Sequence, residues 1–287
     1  MHRKALCGAA LVAALMAVWG CDAAPTDERA SGRAPVSEAA VFEAPSLADP
    51  PQTGPTFALM TSLPLYWPLA ADMTEIASGS AAMPWPRVFM ERGFTIVPLD
   101  TLSPTLSPSG EAQGMNPLAD IQRLAIIQPR GLSPADNVAL DEWVRGGGRL
   151  LLALDPALTA HYEVPVGDPR LPTMTALIPP VVARWGLAIR FDEARQEPLG
   201  RAPFPGGGEA LLRLHGEIAP AGLSANAVGD CAAAAPGLIV QCAVGKGQVT
   251  LIADAAMFEH RELAGATGER LRGLLSYAFD KAPTPAP

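Results

Sequence analysis

The residues best suited to chemistry in this sequence are acids that close apolar runs. Asp155 follows Leu150-Leu151-Leu152-Ala153-Leu154, and Asp254 follows Val249-Thr250-Leu251-Ile252-Ala253. If those runs are strands of an open α/β sheet, both carboxylates stand at the carboxyl edge, where such sheets keep their ligands. A carboxylate pair there could bind a cation or polarise a substrate. The commoner use of such acids is to cap neighbouring loops and helices. Ser62 and Arg130 leave two further apolar runs on the same side. Arg130 and Arg170 could grip an anionic ligand through paired N–H donors, or pair instead with Asp155 or Asp168. Tyr66 and Trp67, flanked by Pro64 and Pro68, could stack on a sugar or a partner protein, or be buried at a domain edge. The candidate ligand cleft is therefore Ser62, Tyr66, Trp67, Arg130, Asp155, Arg170 and Asp254. His161 and Tyr162 are isolated and suit a surface loop. Gly206-Gly207-Gly208 lacks the preceding strand and the following Lys-Ser/Thr of a phosphate loop. No catalytic residue, metal ligand or cofactor is assigned.

The stretch from Arg130 to Pro156, RGLSPADNVALDEWVRGGGRLLLALDP, shows how these residues would be positioned. Ser133 is an N-cap candidate, Pro134 suits the first helical position, and Asp136 places negative charge in the first turn. Leu140, Trp143 and Val144 give the helix an apolar face. Gly146-Gly147-Gly148 ends it, because glycine accepts the left-handed conformation of a helix terminus. The unbroken apolar run that follows suits a parallel strand covered on both faces. Further strands are expected at Phe57–Leu63, Phe94–Leu99, Leu124–Gln128, Leu187–Phe191, Ala210–Leu214, Leu238–Val244 and Gln248–Ala253. Helices are expected over about Pro86–Arg92, Thr173–Trp185 and Thr267–Asp280, with Pro179 and Pro180 shortening or kinking the second. Residues 100–118 read as a Pro- and Ser-rich loop. Strands alternating with helices predict an α/β fold: a mostly parallel open sheet with helices on both faces, flavodoxin-like or amidotransferase-like, with a late antiparallel hairpin.

The chain has 287 residues, 49% of them hydrophobic and 17% charged, enough to bury a substantial core. Its formal charge is −8, and residues 1–20 hold Arg3 and Lys4 but no acid, so the remainder is more acidic still. An acidic surface excludes general nucleic-acid binding. His2-Arg3-Lys4 followed by the apolar run Ala5–Trp19 reads as a signal peptide, residues 1–20, too short to span a membrane. Residues 21–55, rich in Ala, Pro, Ser and acids, read as a disordered tether. The folded domain is expected over 56–281, with a frayed tail at 282–287. Export implies an oxidising compartment. There Cys231 and Cys242, which flank a turn, are expected to form a disulfide, two separate buried thiols being the alternative. Without a nearby histidine they make a poor zinc site.

Two resemblances follow from these motifs. Val18-Trp19-Gly20-Cys21 resembles a bacterial lipobox, which implies lipidation of Cys21 and a place on the periplasmic side of the inner membrane. Asp22, directly after that cysteine, implies inner-membrane retention. Ordinary cleavage near Ala23 or Ala24, giving a soluble periplasmic protein, is the alternative. Across roughly residues 56–280, the TSLPLYW loop, QPRGLS, LDEWVRGGGRLLLALDP, the GDPR turn at Gly167–Arg170 and GKGQVTLIAD resemble the class I glutamine amidotransferase-like superfamily. They are most similar to its non-catalytic branch, found in gliding-motility-type auxiliary components of ABC transporters. Catalytic members carry a nucleophilic cysteine in a glycine-flanked elbow. Here no cysteine lies between Asp22 and Asp230, Cys231 and Cys242 lack that context, and no Gly-x-Ser-x-Gly replaces it.

The resemblance implies a non-catalytic, membrane-tethered periplasmic binding or scaffold domain, accessory to an ABC-type export or envelope system. Its expected partners are that membrane complex or another envelope protein, together with a small-molecule or carbohydrate ligand. The alternatives are an envelope hydrolase using Asp155 and Asp254, metal-assisted or not, and a structural spacer.

Overall fold

The computed structural model describes residues 54–106, 112–195, 199–222 and 228–280. The expected signal peptide, Cys21, nearly all of the tether and the tail lie outside the described residues. In chain order the elements are β1 (Thr56–Thr61), α1 (Met73–Ser78), α2 (Trp85–Glu91), β2 (Thr95–Pro98), β3 (Thr105–Leu106), β4 (Ala112–Gln113), β5 (Arg123–Ile127), α3 (Pro134–Gly146), β6 (Arg149–Ala153), α4 (Pro180–Arg184), β7 (Leu187–Arg190), β8 (Gly200–Phe204), β9 (Gly208–Leu212), β10 (Glu217–Pro220), β11 (Gly229–Ala235), β12 (Ile239–Val244), β13 (Gly247–Ile252), α5 (Ala256–Glu259), α6 (Arg261–Ala264) and α7 (Glu269–Phe279). Seven strands form one sheet in the order β11-β12-β13-β6-β5-β1-β2. From β13 to β2 every pairing is parallel, and β11, β12 and β13 pair antiparallel. Pairs β7/β10 and β8/β9 stand outside this sheet. The chain is thus a mixed α/β fold around a mostly parallel sheet, with a late antiparallel extension.

The continuous apolar strands sort their side chains alternately between two cores, as the two-residue repeat of a strand requires. Phe57, Leu59, Ala125, Ile127, Leu151 and Ala153 face one side, where α2, α5, α6 and α7 pack. Ala58, Met60, Leu124, Ile126, Leu150 and Leu152 face the other, where α3 and α4 pack. Helices therefore cover both faces.

Helix α3 forms as its sequence dictates. The Ser133 hydroxyl accepts from Asp136 N, the Asp136 carboxylate accepts from Ser133 N, and Pro134 opens the first turn. Gly147 stops the helix at φ 125°, and its N–H bonds Val144 O at 2.9 Å. Asp141 adds an anchor: its carboxylate accepts from Arg145 Nε (2.8 Å), Arg184 Nε (2.9 Å) and Trp185 Nε1 (2.9 Å), tying α3 to α4. Burial alone would raise the Asp141 pKa, but these bonds outweigh it and hold the acid below its ordinary range. At the same end, Gly247 lets the β12–β13 turn pass against the backbone of Val144 and Gly148, where any side chain would collide.

Several expected elements differ. The helix expected over Thr173–Trp185 is only α4, because Pro179 and Pro180 start it and Thr173 lies in a loop whose backbone bonds Ser62 and Gln128. The first strand stops at Thr61, leaving Ser62 and Leu63 in the loop. Strand β11 was not expected; its GDCAAAA sequence carries no β-branched or aromatic residue to announce it. Strands β8 and β10 and the capped helix α1 were also missed, as was the short β3–β4 pair within a segment read as loop. Among the described residues, no helix is long and apolar enough to cross a membrane.

The expected disulfide is present. Cys231 and Cys242 are directly paired in the β11–β12 register, with Cα atoms 4.0 Å apart. It fastens an edge strand that has little side chain to bury. Loop-closure entropy for an 11-residue separation gives about 3 kcal/mol. Replacing both cysteines with alanine should lower unfolding stability by about 2–3 kcal/mol in a denaturant titration. A loss below about 0.5 kcal/mol would show that β11 is held by its hydrogen bonds alone.

Candidate functional site

The carboxyl ends of β1, β5, β6 and β13 meet as expected, and a glutamine organises them. Gln128 follows β5 with φ 45°, an uncommon conformation for a residue with a side chain, and it is fully buried. Its side-chain amide pairs with the backbone of Asp155 on both sides: Asp155 N donates to Oε1 (2.8 Å) and Nε2 donates to Asp155 O (3.0 Å). Nε2 also donates to Thr173 O at 2.7 Å. The Gln128 carbonyl accepts from both the backbone N–H (3.0 Å) and the hydroxyl (2.6 Å) of Ser62. Ser62 Oγ in turn accepts from Thr173 N at 3.0 Å. One residue thus joins the ends of β1, β5 and β6 to the incoming loop. Ser62 has its proton committed to a carbonyl rather than to a base.

Asp155 and Asp254 do come together, each two residues past the end of the adjacent strands β6 and β13, and both are buried. Each binds backbone. Asp155 accepts from Ala157 N and Ala255 N, both at 2.8 Å. Asp254 accepts from Arg213 N (2.8 Å) and Ala256 N (2.7 Å). Burial raises the Asp155 pKa to about 7; the two amides oppose the shift and the charge of Glu259 adds to it. Asp254 is raised well above the ordinary range by burial and by Asp155 beside it. Glu259, at the end of α5, accepts from Thr159 N (3.1 Å), Ala160 N (3.3 Å) and the Tyr162 hydroxyl. Beside it, Thr159 Oγ1 lies 2.7 Å from His260 Nε2. Burial, then the nearby Arg213, lowers the His260 pKa. The N–H groups of Thr159 and Ala160 both go to Glu259, so they are not offered to an oxyanion beside that hydroxyl. Among the described residues no group of three or more His, Cys, Asp or Glu is placed to hold a metal ion.

The other cleft candidates stitch loops together. Arg130 donates to Pro169 O at 2.6 Å and does not pair with Asp155. Arg170 pairs with Asp168 through Nε (3.1 Å) and Nη2 (2.8 Å), and reaches Leu69 O at 3.0 Å. Those bonds lower the pKa of the half-buried Asp168 to about 2. The Tyr66 hydroxyl donates to Leu59 O, and burial raises its pKa. Trp67 is exposed, with the Arg87 guanidinium 5.5 Å above its ring.

Two depressions lie away from these strand ends. One, of about 720 Å³, runs beneath the C-terminal half of α3 beside Trp143. The other, of about 1150 Å³, opens between the β8–β9 hairpin, β11 and α7. Sequence reasoning missed the second because its floor is alanine and its walls come from β8 and α7, elements far apart in the chain. It also left Gln128, Thr159 and Glu259 without roles. A polar residue closing the buried run Leu124–Ile127 was the available signal for Gln128; Thr159 and Glu259 gave none.

No family model matches the chain, and no curated protein matches it. Solved structures similar to it include the exo-β-1,4-mannosidase Op5Man5 from Opitutaceae bacterium strain TAV5, at 15% identity and TM-score 0.40, covering 79% of this chain and 36% of that one. A β-galactosidase from Rahnella sp. R3 follows at 10% identity and TM-score 0.40, covering 78% and 31%. A putative ThuA-like protein from Parabacteroides merdae has 10% identity and TM-score 0.37, covering 82% and 93%. The chain spans about a third of the length of the two glycosidases. At these scores the likenesses carry no weight for function.

Two outcomes follow from the geometry. Gln128→Leu leaves Asp155 N and Thr173 O without partners, while Asp155 O keeps the N–H of Ala176 at 2.8 Å, so unfolding stability should fall by about 2–4 kcal/mol; a change under 1 kcal/mol would mean that water replaces the amide. Asp155 and Asp254 have raised pKa values in the fold, so the folded state binds protons that the unfolded state releases. Their contribution is fully present below the unfolded carboxylate value and is lost as pH rises through about 7. His260, lowered in the fold, acts in the opposite direction, so the effect is read as a difference. Between pH 5.5 and 8, stability should fall more steeply in the native chain than in Asp254→Asn; equal slopes would contradict the assignment.

Proposed function

We propose that this chain is an exported, membrane-tethered binding or scaffold domain with no hydrolytic chemistry of its own. In this reading its sheet belongs to the flavodoxin-like or amidotransferase-like lineage, and it serves an ABC-type export or envelope system. The observation that carries the proposal is the commitment of the strand-end polar groups. Ser62, Gln128, Asp155 and Asp254 spend their hydrogen bonds on backbone. A reacting group must instead keep a lone pair or a proton for the substrate. The cysteine that performs the chemistry of amidotransferases has no counterpart between Asp22 and Asp230. The lipobox-like Val18–Cys21 and the acidic, Pro-rich stretch after it support a tether. The disulfide supports residence in an oxidising compartment.

One observation favours a hydrolase instead. Asp155, with a pKa of about 7, would be a suitable general acid at neutral pH, and Asp254 lies beside it. Against this, Asp155 is wholly buried and both its oxygens are bonded.

The full chain, expressed with its own N-terminus in a bacterial host that encodes it, should cross-link to permease and ATPase subunits of one transporter. Cys21→Ser should release it from the membrane fraction and abolish labelling by a lipid precursor. Persistence of the label in Cys21→Ser would exclude that residue as the anchor. A hydrolase activity that Asp155→Asn eliminates would overturn the non-catalytic reading.

A further inference from the structure

The depression beside α7 has the construction of a ligand groove. Its floor is the end of the seven-stranded sheet, where Ala232 of β11 stands opposite Gln241 of β12. Alanine on the floor leaves the space that larger residues would fill. One wall is α7, presenting Arg270, Ser276 and Tyr277; the other is the β8–β9 hairpin, presenting Glu209. The disulfide between Cys231 and Cys242 fixes the floor directly beside Ala232. The volume of about 1150 Å³ slightly exceeds the usual range of small-molecule sites, roughly 300–1,000 Å³, which suits an oligomer better than a single small unit.

The lining chemistry selects the ligand class. The Tyr277 ring is stacked on Phe204, centroids 5.1 Å apart and planes 25° apart, which fixes its orientation at the wall. Burial raises the Tyr277 pKa without any offsetting hydrogen bond, and among the described residues its hydroxyl has no hydrogen-bond partner. Glu209 lies between Arg201 (2.9 Å) and Arg270 (3.9 Å), so carboxylate acceptors and guanidinium donors stand side by side. Among the described residues, Glu209, Glu269 and Asp280 line the groove against one base, Arg270, which disfavours an anionic ligand. A cationic ligand would use the acceptors and leave Arg270 and the tyrosine hydroxyl unmatched. Neutral vicinal hydroxyls, each donor and acceptor at once, use both sets, and the aromatic ring offers apolar surface to the C–H face of a sugar.

We propose that the groove formed by Ala232, Gln241, Glu209, Arg270, Ser276 and Tyr277 binds a neutral oligosaccharide. This rests on the binding-domain reading above and supplies its ligand and its site, away from the carboxyl edge of the sheet.

The test is calorimetric titration of the full chain with maltotetraose and chitotetraose as neutral probes, tetralysine as a cationic one and glucose 6-phosphate as an anionic one. At least one tetrasaccharide should bind saturably. Tyr277→Phe, which keeps the ring stack, should weaken it about 3–10-fold, as expected for one hydrogen bond. Ala232→Trp should abolish it by filling the floor, with unchanged far-UV circular dichroism showing that the variant folds. Val138→Trp, exposed on α3 across the sheet, should bind as the native chain does. Failure of both tetrasaccharides to bind, binding that survives Ala232→Trp, or tighter binding of tetralysine or glucose 6-phosphate would each overturn the proposal. Chain-length analysis of the recovered sugar separates the two readings. A bound sugar that returns shortened upholds the groove and overturns the non-catalytic reading, whereas absence of binding overturns the groove alone.

Discussion

The carboxyl edge of this sheet depends on one buried amide. Parallel strands end with N–H and C=O groups that no neighbour strand satisfies, and a buried group left unpaired costs about 1–3 kcal/mol. Gln128 resolves this for three strands at once. Its side chain mimics an extra stretch of backbone against Asp155, while its own carbonyl receives Ser62. A left-handed backbone at Gln128 is the local cost, and it turns the main chain so that the side chain points back into the sheet.

Asp155, Asp254 and Glu259 extend the same logic across β6, β13 and α5. All three accept backbone N–H groups where strands give way to loops, and burial, with the like charges beside it, drives the two aspartates toward the protonated form. A carboxyl with a perturbed pKa at a sheet edge is a recognised mark of function. Here the same perturbation has a structural origin, burial beside like charge, with both oxygens already engaged. The shifted pKa and the geometry point in different directions, and geometry decides, because a reacting carboxyl needs a face open to substrate.

Much of the fold was legible in the sequence because local signals agreed with one another. Ser133, Pro134 and Asp136 announced the start of α3, Gly147 its end, and the apolar run of β6 its two-sided burial. The Cys231–Cys242 bond was readable from the turn between the cysteines, and the place of Asp155 and Asp254 at one edge from the apolar runs they close; that the two acids meet was not, because strand order is set by contacts distant in sequence. What could not be read was set by contacts distant in sequence. Thr173 lies in a loop whose backbone Ser62 and Gln128 hold, Glu259 binds the backbone of Thr159, and β11 forms by pairing with β12 despite an alanine-rich sequence of low strand propensity. The groove beside α7 combines a hairpin, an edge strand and a terminal helix, and no local pattern encodes such a meeting.

The central claim is that the strand-end carboxylates are fastenings rather than reacting groups. Amide hydrogen exchange of Ala157, Arg213, Ala255 and Ala256, the residues whose N–H groups they hold, tests it most directly. The account predicts that these amides exchange as slowly as those of Leu151 and Leu152 in β6, opening only with the whole domain. Fast exchange at all four while β6 stays protected would mean that the carboxylates are released in the native state and free for chemistry, contradicting the account.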